Sequence, residues 1–139
     1  MDDDDVRRWF DEYLDAFAAC GRGERDTASL LAYYGVPLLV TTDDGCYALT
    51  DGDRVVAVVQ QQIDRLRAAD YAGTEALHSE VTLLNATSAL NRETLSWRRR
   101  DGSEIGRVTM TYLLTDWPDG RRLSAFAVHG NEAEAQRRT

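Results

Sequence analysis

HSEVTLLNATSALNRETLSWRRR over 78–100, a turn at Asp101-Gly102, EIGRVTMTYLLTDW over 104–117, a second turn at Pro118-Asp119-Gly120 and RRLSAFAVH over 121–129 form the stretch that decides the fold. Three β-rich runs separated by two short glycine-containing turns predict an antiparallel meander. Within 104–117, Val108, Met110, Tyr112 and Leu114 fall on one strand face, and Thr109, Thr111, Leu113 and Thr115 on the other. The first face is large and apolar, suited to a core or a cavity wall. The threonine-rich face suits pairing with a second subunit, so a homodimer through the sheet is expected.

Residues before this stretch read mainly as helix that needs a sheet to pack on. Asp2 to Asp5 put negative charge at a helix N-terminus, and Val6, Trp9, Phe10, Tyr13, Leu14, Phe17 and Ala18 follow with helical spacing up to Gly21. Asp26 or Thr27 can cap a second helix through Leu30, Leu31, Tyr33 and Tyr34, stopped by Gly35 and Pro37. Leu38–Thr42 and Cys46–Leu49, joined at Asp43-Asp44-Gly45, read as a small hairpin. Thr50 with Asp53 resembles a capping box for a third helix over 52–70, carried by Val56, Val59, Ile63 and Leu66. The expected class is therefore α+β: three N-terminal helices packed on a curved, mostly antiparallel sheet. The polar segment from Gly130 to Thr139 is expected to fray.

Composition bounds the function. A chain of 139 residues, 43% hydrophobic and 29% charged, suits one globular domain over 1–139 with a core that needs no disulfide or metal. A net charge of -8 disfavours nucleic acid and anionic membrane surfaces as partners. Cys20 and Cys46 have no CxxC spacing and the two histidines stand far apart, so no metal site and no cofactor is expected. There is no basic leader with an apolar run and no stretch of membrane-spanning length, which reads as a reduced, cytoplasmic protein.

The order of helix, short helix, small hairpin, long helix and closing meander resembles the NTF2-like superfamily, whose cystatin-like cone fold includes ketosteroid isomerase, scytalone dehydratase, limonene-epoxide hydrolase and SnoaL-like polyketide cyclases. The resemblance covers roughly residues 5–129. It is carried by Trp9-Phe10-Tyr13-Leu14, by Tyr33-Tyr34 and by the closing run from Asp119 to Phe126. By register, Tyr13 falls near the oxyanion-binding tyrosine of ketosteroid isomerase and Tyr112 where that family has a protonated aspartic acid. The family's general-base position aligns with Thr41 or Thr42 and reaches Asp43 by a shift of one or two residues.

Each candidate also has a structural reading. Tyr13 can be core filling, and Tyr112 with Met110 can be packing or a ligand wall. Asp43 fits its turn for backbone reasons alone, yet would serve as a general base if it faced the cavity. His129 ends the last strand in register with Ala127, either at the surface or in a pocket. Trp97 can stack on a planar ligand or close the wall, and Thr42, next to Asp43, is expected to contact the ligand. The expected cavity wall is thus Trp97, Met110, Tyr112, Ala127 and His129. Tyr13 and Tyr112 would polarise a substrate oxygen while Asp43 or His129 moves the proton. The leading expectation is a cofactor-independent protein acting on a small, apolar organic ligand by isomerisation, cyclisation or dehydration. The alternative is a non-catalytic ligand-binding or dimerisation module.

Overall fold

The computed structural model describes residues 1–130. The segment 131–139, in which fraying was expected, lies outside the described residues. Helix α1 runs over Asp3–Gly21 and a 3-10 helix over Thr27–Ala32, followed by strands β1 (Tyr34–Thr42) and β2 (Gly45–Leu49), helix α2 (Gly52–Ala68), and strands β3 (Tyr71–Asn85), β4 (Ser88–Arg99), β5 (Glu104–Trp117) and β6 (Gly120–Val128). The sheet has six strands in the order β2-β1-β6-β5-β4-β3. Among the described residues its one parallel pair is β1 with β6, which brings the N-terminal hairpin onto the edge of the meander.

Asp2 caps α1 by accepting a bond from the Asp5 amide, and the Asp5 carboxylate accepts one from the Asp2 amide. The remaining first-turn acids sit at the positive end of the helix dipole, as the sequence predicts. The apolar stripe of α1 then buries Val6, Phe10, Tyr13, Ala16 and Cys20 against the sheet. Val55, Val59 and Ile63 do the same from α2, and all join Leu38, Val40, Leu114 and Leu123 in one core cluster. Each fully buried side chain of this size contributes about 1.5–3 kcal/mol, so this cluster is what closes the helices onto the concave face.

Three local expectations are corrected. The run 78–100 is two strands, because a hairpin turn at Ala86-Thr87 divides it and the meander has four strands. That turn contains no glycine; the Asn85 side-chain oxygen accepts from the Thr87 amide, the Thr87 hydroxyl and the Ser88 hydroxyl. The second helix stops at Ala32, and Tyr34 already belongs to β1, paired with Leu123. Asp51, one residue after the expected Thr50, caps α2 by accepting from the Arg54 amide at 2.9 Å.

Cross-strand partners share a face, so the register defines both surfaces of the sheet. Leu39, Ala125, Leu113 and Leu90 form one transverse row on the outer face. Thr41, Ala127, Thr111 and Arg92 form the next. No helix among the described residues is long and apolar enough to cross a membrane.

Candidate functional site

A cavity of about 230 Å³ opens between the two helices and the inner face of the sheet. Its walls are set by simple alternation on β5, where Val108, Met110 and Tyr112 point inward, and by the inward faces of α1 and α2, which supply Tyr13, Phe17, Val58 and Val59. The lining is predominantly apolar, the expected character of a small-molecule site. An apolar cavity of roughly 150 Å³ holds benzene, so this space accommodates a ring with a short chain.

The polar groups inside are mostly tyrosines. Tyr13, Tyr34 and Tyr112 are each 5% exposed or less. The Tyr13 and Tyr34 hydroxyls are 2.5 Å apart and share one hydrogen bond. The Tyr112 hydroxyl donates to the Met110 sulfur at 3.3 Å, a weak acceptor that a ligand oxygen would displace. Ring contacts hold these groups in place: Tyr13 meets Tyr112 edge-on at 6.3 Å and stacks on Trp9 at 5.7 Å. Burial pushes the Tyr13 and Tyr112 phenols up, with Tyr34 adding to the effect on Tyr13 and Tyr13 to that on Tyr112. All three tyrosines are consequently neutral donors at physiological pH.

Beside them lies Glu93 on β4, 2% exposed and paired across the sheet with Met110. Its Oε1 is buried without a hydrogen-bond partner among the described residues. Desolvation, reinforced by Asp11 and opposed by Arg7, pushes this carboxyl up to about 7. Its charge is also felt by the hydroxyls of Tyr13 and Tyr112.

Of the residues singled out in the sequence, Tyr13, Thr42, Trp97, Met110 and Tyr112 line this cavity. Asp43, Ala127 and His129 do not. Asp43 is exposed in the β1–β2 turn, with its carboxylate against Gly130. The residues of β6 that line the cavity are Phe126, paired with Tyr112, and Val128, paired with Met110. Ala127 therefore faces outward, opposite Thr111, and the His129 Nε2 lies 2.8 Å from the Thr111 hydroxyl on that same outer face. The expected wall of Trp97, Met110, Tyr112, Ala127 and His129 is thereby reduced to its first three members.

The family model described as NTF2-like protein (DUF6841) matches residues 3–131. The chain belongs to this NTF2-like family. Similar solved structures agree on the cone. An NTF2-like protein of unknown function from Shewanella oneidensis shares 14% identity at a TM-score of 0.68, over 92% of this chain and 98% of that one. Aln2 from a Streptomyces species shares 10% identity at a TM-score of 0.69, over 95% and 92% of the two chains. An NTF2-like protein with a cystatin-like fold from Novosphingobium aromaticivorans shares 15% at 0.67, over 94% and 84%. At such identities the likeness establishes the fold alone. No curated protein matches the sequence.

Within this NTF2-like cone, sequence reasoning missed Tyr34, Arg65 and Glu93. Tyr34 is hidden by its resemblance to a helix end. Glu93 sits in Asn91-Arg92-Glu93-Thr94, polar on both strand faces, so alternation carries no signal there. A signal did exist two residues to either side: Ala89, Asn91, Glu93 and Leu95 share the buried parity of β4. Among the described residues, no group of three or more His, Cys, Asp or Glu side chains could hold a metal ion.

Proposed function

We propose that this NTF2-like protein holds a compact, largely apolar organic molecule in its cone and performs acid/base chemistry on it, such as isomerisation, cyclisation or dehydration. The observation that carries the reading is the Tyr13–Tyr34 pair. Two hydroxyls have two protons, and their mutual bond at 2.5 Å uses one. The second proton is left for an acceptor within an otherwise apolar enclosure, which is how a site orients a single ligand oxygen. Tyr112 supplies a further donor, because its present partner is only a thioether. Asp43, His129 and Glu93 all lie outside the lining, but Glu93 is the buried carboxyl whose field reaches both Tyr13 and Tyr112, so in this reading it takes the acid/base role by acting on those hydroxyls and not by touching the ligand.

The test is a screen of small cyclic ketones and aryl alcohols by ligand-observed NMR, followed by the double variant Tyr13→Phe with Tyr34→Phe. Binders are expected to lose about tenfold in affinity in the double variant. Either single variant keeps one phenolic proton and should lose less. Binders whose dissociation constants are unchanged by the double variant would remove the pair from the site. Turnover of any binder, lost in Glu93→Gln with binding retained, supports the catalytic half of the reading.

The outer face of the sheet favours a second role, association of two copies. Its rows carry leucine, alanine and threonine side chains in place of charges, apart from Arg92, and Leu39 is 42% exposed. Such a surface resembles the centre of a protein interface more than an open one. Sedimentation at micromolar concentration is expected to give a dimer that Leu113→Arg dissociates. A monomer for the unsubstituted protein would eliminate this role and leave the cavity untouched.

A further inference from the structure

Among the described residues the cavity carries one charged side chain in its lining, and it is a cation. Arg65 projects from the last turns of α2, where Gln62, one helical turn earlier, lines the cavity with it. Among the described residues Arg65 forms no ion pair, although acids outnumber bases strongly and the chain has a net charge of -8. Its guanidinium instead donates from Nη2 to the Gln62 side-chain oxygen at 2.8 Å. That bond uses one of five donors and none of the charge. It also turns Gln62 into a support for the guanidinium, while the amide NH2 of Gln62 keeps its own donors unused among the described residues.

Depth within the cavity orders these groups. Tyr13, Tyr34 and Tyr112 are buried, Gln62 is half-buried and Arg65 is exposed. The site therefore runs from neutral phenol donors at its closed end, through an apolar middle bounded by Val58, Phe17 and Trp97, to a guanidinium where it meets solvent. An arginine that served only solubility would sit anywhere on the exposed face of α2. One placed on the rim of an apolar cavity, held by a neutral amide and left without a carboxylate of its own among the described residues, fits an anion supplied by the ligand.

Resting on the ligand-holding reading of the cavity, we propose that the natural ligand is a small organic carboxylate whose apolar body fills the cone and whose carboxylate pairs with Arg65 and Gln62 at the rim. The guanidinium matches a carboxylate with two parallel N–H···O bonds, and the Gln62 amide adds a third donor. A single cation against the acidic background of this chain favours a monoanion over a doubly charged phosphate ester. The size also agrees, since about 230 Å³ suits one ring and a short chain.

The experiment compares 3-phenylpropionate with its neutral counterpart 3-phenyl-1-propanol by isothermal titration, on the unsubstituted protein, on Arg65→Gln and on Val58→Trp. The acid is expected to bind about five- to tenfold more tightly than the alcohol, a preference that shrinks as salt screens the rim. Arg65→Gln should abolish the preference while leaving alcohol binding unchanged. Val58→Trp, which fills the apolar middle, should abolish binding of both. Equal affinities for acid and alcohol, or an acid preference that survives Arg65→Gln, overturn the carboxylate assignment and leave the cavity reading intact. Tighter binding of 2-phenylethyl phosphate than of the carboxylate overturns it as well. Binding that persists in Val58→Trp overturns both readings, because the probes would then be held elsewhere. Arg65 is exposed and outside the core cluster, so circular dichroism of Arg65→Gln is expected to match the parent.

Discussion

Glu93→Gln is expected to be more stable than the parent protein by about 3 kcal/mol at pH 8 and indistinguishable from it near pH 4. The buried carboxyl is pushed from 4.5 up to about 7 on folding, chiefly by desolvation. Between those two values the folded state binds a proton that the unfolded state has released. Stability from this group is therefore fully present below about 4.5 and is lost as pH rises through about 7. The difference of about 2.5 pH units, at about 1.4 kcal/mol each, gives the expected loss. Glutamine keeps the size and polarity of the protonated acid but cannot ionise, so it should flatten this part of the profile. Urea unfolding at intervals from pH 4 to pH 8 measures the effect. Parallel curves for parent and variant would show that Glu93 titrates normally and that its unpartnered oxygen finds water.

The same side chain bears on function. A carboxyl with its transition near neutrality can both give and take a proton at physiological pH, which an ordinary exposed glutamate cannot.

Phe10→Ala is expected to destabilise the protein by about 3–5 kcal/mol, the usual cost of emptying a buried aromatic position. Phe10 is 2% exposed and stands between α1 and the sheet, with ring centroids 5.0 Å from Trp9 and 5.1 Å from Tyr112. Its removal takes away both the area it buries and the tilted ring contact that supports Tyr112. The denaturant midpoint should fall with little change in slope, and Phe10→Leu should recover part of the loss. A cost below about 1 kcal/mol would mean that α1 collapses onto the gap, which the crowded rings around Phe10 argue against. Because Tyr112 leans on this ring, ligand affinity should fall in Phe10→Ala even at temperatures where the variant is folded.

How much of the site was legible follows from which residues obey a local period. Tyr13 lies on the stripe of α1 that Val6 and Phe10 also define, and Met110 and Tyr112 alternate on a regular stretch of β5, so both sets could be placed in the cavity by spacing alone. On β6 the period breaks. Leu123 pairs with Leu114 and Ala125 with Leu113, so a bulge at Ser124 resets the alternation. Leu123 and Phe126 both point inward although three positions separate them, and Ala127 and His129 are carried to the outer face. No feature of the run from Leu123 to His129 announces that shift, because small residues fit either side.

Amphipathic periodicity was sufficient to place α1, α2 and the two faces of β5, since each arises from interactions within a few residues, whereas the cone was expected from the resemblance to the NTF2-like superfamily. Four matters were decided only by tertiary pairing. Tyr34 became a cavity donor because the parallel bond of β1 to β6 drew it out of the helix; Glu93 became a buried acid because its strand parity set it opposite Met110 beneath α1. Arg65 reached the cavity rim because α2 lies across its open side, and His129 left the site because of one bulge. Each depends on which strand or helix is the neighbour, and that information is spread over the whole chain.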